Sequence, residues 1–309
     1  YAKPKSMFGK TDIKDNIIMC AMCLPVFIYI FIFNYLPMFG LVIAFKDYRV
    51  DLGILGSKWV GLKNFEFFFT SEDALRVTFN TIYLNFLFIV MGLIASVFLA
   101  LLLFEVSKKW LIRSYQTVMI LPSYLSWVVV GFMTYSFLNP TMGILNNLLI
   151  SIGMNTVDWY SEAKFWPAIL TVSVIWKSVG INCVIYYAGL MGINHEYYEA
   201  AAIDGAGKFK QMWYISIPSI LPLMSIMTIL AIGGIFRSDF GMFFNLTRDV
   251  GALYATTDVI DTYIYRALRV LNDSGMSTAV GLYQSVVGFV LIIVTNAIVN
   301  KYEPDNALF

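Results

Sequence analysis

Two short patterns in this 309-residue chain resemble sites for redox chemistry and for phosphate binding. Neither has the sequence context that such a site needs. Cys20 and Cys23 have the spacing of a redox pair, but they lie inside a long apolar run. Residues 205–208 read Gly-Ala-Gly-Lys, like the end of the phosphate-binding loop G-x-x-x-x-G-K-[ST]. That motif fails because position 202 is alanine and position 209 is phenylalanine. We therefore expect no ATP site here, so that any energy from ATP must come from a partner.

Side chains that serve as metal ligands or as acid–base catalysts are also sparse. His195 is the one histidine in the sequence, and no second ligand stands at a spacing that suits a metal ion. The cysteines, including Cys183, lie in apolar runs and form neither a disulfide framework nor a zinc pattern. We expect no conventional polar active site and no cofactor bound by this chain.

The composition excludes a water-soluble domain. Hydrophobic residues make up 59% of the chain and charged residues 13%, with a mean hydropathy of +0.72. In soluble domains about a quarter of the residues are charged. The 21 basic residues nearly balance the 20 acidic ones, which leaves no extended basic surface for nucleic acid. The composition indicates an integral membrane protein that contacts lipid.

Six charge-poor stretches are long enough to cross a bilayer, whose ~30 Å apolar core needs ~20 helical residues. Because lipid offers no hydrogen bonds to the backbone, each span must be helical, and the expected fold class is all-α. The stretches are 17–45, 77–104, 114–157, 165–194, 211–236 and 274–300. The third is too long for one span, and the asparagines, proline and glycine that follow predict a helix end near Leu138.

Charges beside the spans predict the orientation. Basic residues are equally numerous at the two ends, but the lysine-rich amino-terminal tail and the compact loop 105–113 favour cytoplasmic termini. We expect a cytoplasmic tail at 1–16, a single six-helix domain at 17–300 and a cytoplasmic tail at 301–309. The first run is too long for the apolar part of a cleaved signal peptide. The aromatic segment 59–69 is expected to lie at the membrane interface, as an anchor in preference to a substrate lid.

The loop 194–222 (NHEYYEAAAIDGAGKFKQMWYISIPSILP) predicts a short helix, a glycine turn and a second helix between the fourth and fifth spans. Its first asparagine can cap the helix, and Glu196 and Glu199 lie in the opening turns, where the helix dipole favours acids. Gly205 and Gly207 are expected to end the helix, since glycine accepts the left-handed conformation. A short helix covered by small alanines suits docking into a groove of a soluble partner.

The order and spacing of this loop resemble the EAA loop of ABC importer permeases. The matching residues are Glu199-Ala200-Ala201, Gly205 and Ile215-Ser216-Ile217-Pro218, and they depart from the pattern at Ile217, where leucine is usual. Segments 33–48, 59–65, 116–127, 199–208 and 256–268 look like those of carbohydrate-uptake permeases. The chain therefore resembles binding-protein-dependent (MetI-like) permeases, most of all the LplB-type polysaccharide and oligosaccharide group.

The resemblance implies a type I importer fold with six transmembrane helices and a cytoplasmic coupling helix. It implies that this helix docks in the cleft of a nucleotide-binding subunit. The residues that the resemblance assigns to this contact are Glu196, Glu199, Ala200, Ala201, Asp204, Gly205 and Gly207. The implied partners are a second homologous permease, two nucleotide-binding domains that bind ATP and Mg, and an extracytoplasmic sugar-binding lipoprotein. The implied function is half of the pathway for an oligosaccharide or polysaccharide fragment across a bacterial plasma membrane.

Several residues are candidates for the substrate pathway. Lys177 lies near the middle of the fourth span, where a charge usually faces a cavity or a partner. Asn182 and Tyr186 follow on one helical face, and amides and aromatic rings suit sugars. Arg237 and Asp239, near the outer end of the fifth span, could line the pathway, pair with each other or contact the sister subunit.

Two other functions stay open on the residues alone. A secondary sugar transporter driven by an ion gradient normally needs titratable groups or ion ligands at mid-membrane, where Lys177 is the single charge. A membrane-bound enzyme acting on lipid-linked sugars would need an acidic or metal cluster at the membrane edge. Asp258 and Asp261 come nearest to one, but their helical spacing and the resemblance favour a structural role.

Overall fold

The computed structural model describes residues 10–302 of the chain. Residues 1–9 of the expected amino-terminal tail and 303–309 of the expected carboxyl-terminal tail lie outside the described residues. The helices are α1 (Lys10–Ile30), α2 (Gly53–Gly56), α3 (Lys63–Thr70), α4 (Glu72–Phe104), α5 (Lys109–Ile120), α6 (Trp127–Leu138), α7 (Ile144–Ser151), α8 (Trp166–Met191), α9 (His195–Ile203), α10 (Lys208–Gln211), α11 (Ile217–Gly233), α12 (Phe240–Thr247), α13 (Tyr254–Thr257), α14 (Ile260–Arg269) and α15 (Ser274–Tyr302).

Short 3-10 and π turns extend or join these helices. The 3-10 turns are Leu36–Phe45, Leu121–Tyr124, Ala163–Phe165 and Gly251–Leu253, and the π turns are Phe31–Tyr35 and Met212–Ser216. Two-residue strands β1 (Lys46–Asp47) and β2 (Lys58–Trp59) pair antiparallel, with Lys46 opposite Trp59. In the part of the chain that the structure describes, this hairpin is the one sheet, and helices joined by turns and loops make up the rest.

Five continuous helical segments are long and apolar enough to cross a membrane, and a bent pair supplies the sixth span. The segments are Asp15–Phe45, Glu72–Phe104, Ala163–Met191, Lys208–Gly233 and Ser274–Lys301, and the pair is Lys109–Tyr124 with Trp127–Leu138. The expected six-helix membrane fold is confirmed, as is the helix end at Leu138. The third span is not one continuous helix, because the pair bends by 97°.

The bend in the third span follows from its local sequence. Pro122 lacks a backbone donor, and Leu125 and Ser126 are extended, with ψ of 137° and 151°. The Ser126 side chain then caps α6 by accepting a hydrogen bond from the Val129 amide. A run that looked like one apolar helix is thus two helices joined by a capped break.

The long helices α4 and α8 form the centre of the bundle, and α5 and α11 pack beside them. Gly180 of α8 allows the closest approach, since a Cβ at that position would lie 2.0 Å from the Met119 carbonyl oxygen of α5. Near α9, Leu190 and Ile220 are buried in one apolar cluster. At the opposite end, Trp166 and Phe243 are buried in another. The bundle therefore has two ends, called here the α9 end and the far end.

Short helices cover the far end. The aromatic segment 59–69 forms part of this cover, with some rings buried and others exposed. Phe68 is buried against Tyr263 and Tyr283, whereas Trp59 stacks on Phe45 and Trp59 and Phe69 stay exposed. Phe68 therefore packs in the protein core, and the interface role remains a prediction for the exposed rings.

A buried ion-pair network ties the far end together. The Asp258 carboxylate is fully buried and accepts hydrogen bonds from the guanidinium groups of Arg76 on α4 and Arg266 on α14. Asn80 of α4 donates to the Asp258 carbonyl at 3.1 Å. Asp261 accepts from the Ser238 amide at 2.8 Å and from Gln284 at 2.9 Å, and burial raises the pKa of its carboxyl. These bonds give both acids structural partners.

We expect Asp258→Asn to destabilise the protein by about 3 kcal/mol, because it leaves two guanidinium groups around a neutral buried amide. The measurement is the temperature at which the purified chain loses its monodisperse peak in detergent. Asp51→Asn is the matched control, since Asp51 pairs with Arg49 on the surface and such pairs contribute about 1 kcal/mol or less. Equal melting temperatures for the two variants would contradict a structural role for the network.

Candidate functional site: an exposed helix and a polar cavity

Helix α9 presents most of its surface to solvent. Asn194 caps it, since its side chain accepts a hydrogen bond from the Glu196 amide at 3.1 Å, as the sequence predicts. Glu199, Ala200 and Ile203 are exposed, the last to 88%. An alanine-rich face beside exposed acids and an isoleucine is the kind of surface that a groove on another protein can accept.

The two glycines after α9 behave differently. Gly205 has a φ of +80°, and the backbone then turns so that the Ala206 amide donates to the Ala201 carbonyl at 2.8 Å. This closes the helix as expected for a left-handed glycine. Gly207 has a φ of −67° and an extended ψ, and it precedes α10. The expectation that Gly207 shares the left-handed role is therefore wrong, because Gly205 alone completes the turn.

Three contacts anchor α9 and the adjoining α10 to the bundle. Tyr198, the one buried residue of α9, shares a 2.9 Å hydrogen bond with the Ser216 hydroxyl at the start of the fifth span. Its ring also packs against Phe104 at the end of α4, with centroids 5.7 Å apart. Lys208 forms a 3.1 Å ion pair with Glu105 of the loop between α4 and α5. A displacement of α9 would therefore act directly on the second and fifth spans.

A cavity of about 270 Å³ lies between α4, α8 and α11. Its lining is mostly apolar, and it is called here the polar cavity after the amide and hydroxyl side chains that the lining also contains. Asn182 and Tyr186 both line it, so the structure brings these two predicted residues together on one helical face. The other polar residues of the lining, which the sequence did not predict, are Asn85, Ser96, Ser178 and Thr228. The Ser96 hydroxyl is fully buried and has no hydrogen-bond partner among the described residues. Hydroxyls and amides beside aromatic carbon are groups that can bind a sugar.

The structure does not place Lys177 among the residues that line this cavity. Its ammonium group donates to the Ser123 carbonyl at 2.8 Å, in the turn just before the break in the third span. The same nitrogen lies 5.2 Å from the centre of the Trp127 ring, in the first turn after the break. Lys177 thus satisfies a backbone carbonyl that the bend leaves without a helical partner.

Arg237 and Asp239 lie at the far end, just beyond α11, and both are exposed. Asp239 accepts hydrogen bonds from the Trp127 indole and from the Met242 amide, which it caps at 3.2 Å. Asp239 and Lys177 therefore flank the same tryptophan. The expected alternative of an Arg237–Asp239 pair does not form, because Asp239 bonds to these groups instead. No local signal in the sequence joins positions 127, 177 and 239, which lie on three separate segments.

The side-chain amide of Asn85 in the second span forms hydrogen bonds with the chain just after the fifth span. Asn85 donates to the Ile235 carbonyl at 3.0 Å and to the Ser238 hydroxyl at 3.1 Å, beyond the end of α11. This bond places the amide at the edge of the polar cavity and holds the end of the fifth span against α4. The amide therefore has a structural partner as well as access to the cavity.

Comparisons with known proteins agree with this architecture. Residues 89–304 match the family described as binding-protein-dependent transport system inner membrane component. Protein LplB of Bacillus subtilis (strain 168) is 36% identical over 92% of this chain and 89% of the relative. The polygalacturonan/rhamnogalacturonan transport system permease protein YteP of the same strain is 34% identical over 92% of this chain and 88% of the relative.

A solved structure has the same fold. It belongs to a bacterial ABC transporter involved in the import of the acidic polysaccharide alginate, and it superposes with a TM-score of 0.85 at 32% identity. The match covers 95% of this chain and 98% of the other. A second structure of the alginate transporter, in complex with a periplasmic protein bound to alginate pentasaccharide, gives a TM-score of 0.84.

We expect Lys177→Met to lower both stability and transport, because the half-buried Ser123 carbonyl would be left without a donor. The expected cost is about 1 kcal/mol. The measurements are thermal stability in detergent and ATP-driven uptake by the reconstituted complex. Lys177→Arg is the control that keeps a donor. A Met variant with wild-type stability but no uptake would instead assign Lys177 to the substrate pathway.

Proposed function

The chain belongs to the family of binding-protein-dependent transport system inner membrane components, and on that premise we propose that it moves an oligosaccharide or a polysaccharide fragment across a bacterial plasma membrane. It is the permease subunit of an ABC importer and a multi-pass membrane protein. It is not itself an enzyme, since in this family a separate ATPase hydrolyses ATP. Membership in this family argues against the two rival functions, an ion-driven transporter and a membrane-bound enzyme.

The sugar substrate is supported by two kinds of observation. YteP is described as a polygalacturonan/rhamnogalacturonan permease and the structural relative as an alginate importer, and both align over more than nine-tenths of this chain. The cavity lined by Asn182 and Tyr186 offers amide, hydroxyl and aromatic groups between three spans. These groups bind sugars without any charge, which suits passage through a membrane interior. Asn182 and Tyr186 are thus assigned to the pathway, with Arg237 at its outer entrance.

The proposed partners follow from the family and from the solved alginate transporter. A substrate-binding protein delivers the cargo in binding-protein-dependent transport, and the alginate transporter has been solved with such a protein bound. We assign it the far end of the bundle, and we propose that it is a sugar-binding lipoprotein. A second, homologous permease would complete the pathway, and two nucleotide-binding domains would bind ATP and Mg.

The single observation that carries the coupling role is the exposed α9 with its direct anchors to the second and fifth spans. Glu196, Glu199 and Asp204 would meet basic groups of the ATPase cleft, while Ala200, Ala201, Gly205 and Gly207 would permit close backbone approach. Closure of the ATPase dimer would push α9, and Tyr198 would pass that displacement to the spans that enclose the polar cavity. The motion expected is rigid-body tilting of packed helices.

We expect Glu199→Lys to leave the chain in the membrane but to weaken its co-purification with the ATPase about tenfold or more, because a buried interfacial charge is reversed. Gly205→Trp should act in the same direction, since a side chain is strained at its positive φ. Glu66→Lys, an exposed acid of α3 at the far end, is the matched control. Wild-type co-purification of both α9 variants would exclude a coupling role for this helix.

The same assignment predicts the orientation. In a background without cysteine, Lys109→Cys at the α9 end should react with a membrane-impermeant maleimide only after the spheroplasts are permeabilised. Leu55→Cys, 95% exposed at the far end, should react in intact spheroplasts. The reverse labelling pattern would place the termini outside the cytoplasm.

A further inference from the structure

A second cavity, of about 260 Å³, lies at the far end between α6 and α12, apart from the polar cavity inside the bundle. Its lining residues include Phe132 and Tyr135 of α6, Phe244 and Asn245 of α12, and Arg248 just after α12. It therefore combines aromatic rings, one amide and one guanidinium group at the end where we place substrate entry.

Arg248 is held in place without an acidic partner. Its guanidinium carbon lies 4.2 Å from the centre of the Tyr135 ring, which fixes the plane of the group by cation–π stacking. Its neighbour Asp249 is already engaged, since it accepts from Arg266 at 3.0 Å and from the Tyr254 hydroxyl at 3.0 Å. Among the described residues, no carboxylate forms an ion pair with Arg248. The fork of N–H groups thus remains available to an external anion.

The backbone at this point adopts an uncommon conformation. Arg248 and Asp249 have φ of 56° and 50°, a left-handed conformation that non-glycine residues rarely adopt. The two consecutive residues turn Arg248 toward the cavity and Asp249 toward Arg266. Such strain persists where surrounding contacts demand it, and it concentrates at functional sites.

The remaining groups suit a sugar ring. Asn245 donates its amide to the Gly241 carbonyl at 2.6 Å, which leaves its side-chain oxygen to accept a hydroxyl. Phe132 and Phe244 add aromatic carbon to the lining, against which the C–H side of a sugar ring can pack. Tyr160 packs against Tyr135 and donates to the Leu246 carbonyl, and burial raises the pKa of its hydroxyl to about 12.

We propose that this α6–α12 cavity is an entry subsite for a sugar that carries a carboxylate, with Arg248 binding the carboxylate and Asn245 and the aromatic rings binding the sugar. A planar guanidinium binds a carboxylate through two parallel hydrogen bonds, which a neutral sugar cannot replace. The inference rests on the proposed sugar-import function and narrows it to uronate-containing oligosaccharides. It assigns Arg248 a role in specificity, whereas the uncharged cavity inside the bundle would accept either kind of sugar.

The test uses the complete importer, with its binding protein, reconstituted into liposomes that contain ATP. The probes are oligogalacturonates and alginate oligosaccharides, each mixed in equal amounts with its carboxyl-reduced counterpart of the same linkage. Mass spectrometry of the liposome contents gives the ratio of acidic to neutral sugar imported. Because the same binding protein serves every variant, a change in that ratio reports on the permease.

We expect the wild type to favour the acidic probes and Arg248→Gln to lower the ratio about tenfold, as loss of a charged hydrogen-bonded pair predicts. Arg248→Lys, which keeps the charge but not the fork, should give an intermediate ratio. Arg269→Gln, an exposed arginine of α14 that does not line the cavity, is the matched control and should leave the ratio unchanged.

The other outcomes separate this inference from the proposed function. If the wild type imports neither class while it hydrolyses ATP, the sugar-import proposal fails. If it imports both and Arg248→Gln leaves the ratio unchanged, the subsite alone is overturned. Equal loss of both classes in Arg248→Gln, or loss of complex assembly, would show that Arg248 only joins α6 to α12 or to another subunit.

Discussion

The constraint on which this structure depends is that a membrane interior offers no hydrogen bonds to the backbone. A straight helix satisfies that requirement by itself, but a break does not. The third span bends by 97°, and the groups around the break are satisfied by side chains. Ser126 caps the helix that follows, and Lys177 donates to a carbonyl of the turn that precedes it. The charge of Lys177 in the middle of the fourth span is therefore explained by its hydrogen bond to the Ser123 carbonyl.

The break also creates the geometry of the far end. Because α6 leaves the direction of α5, it lies against α12, and the two helices enclose the Arg248 cavity. Trp127 stands at the turning point, between Lys177 and Asp239, so the bend and the cover of the bundle share one set of contacts. A change at the break would alter both the third span and the proposed entrance.

Helix α4 links the two ends of the molecule. At the α9 end, Tyr198 contacts Phe104 of α4, and at the far end Asn80 and Asn85 bond the same helix to the cover and to the end of the fifth span. Packed helices shift as units rather than deform, since protein interiors are close-packed. A displacement of α9 would therefore reach the polar cavity as a change in the relative tilt of its walls.

The sequence by itself determined the membrane class, the number of spans, the position of the loop that contains α9 and the capping roles of Asn194 and Gly205. These features depend on apolar run length, on motif spacing and on residues adjacent in the chain, which are local properties. The bend within the third span, the partners of Lys177 and Asp239, the extended Gly207 and the two cavities were decided by the tertiary structure. Asn182 and Tyr186 share a face because they are four residues apart, but Ser96 and Thr228 join them from other helices. Contacts between segments far apart in sequence are set by how whole helices pack, and no pattern within one segment records that packing.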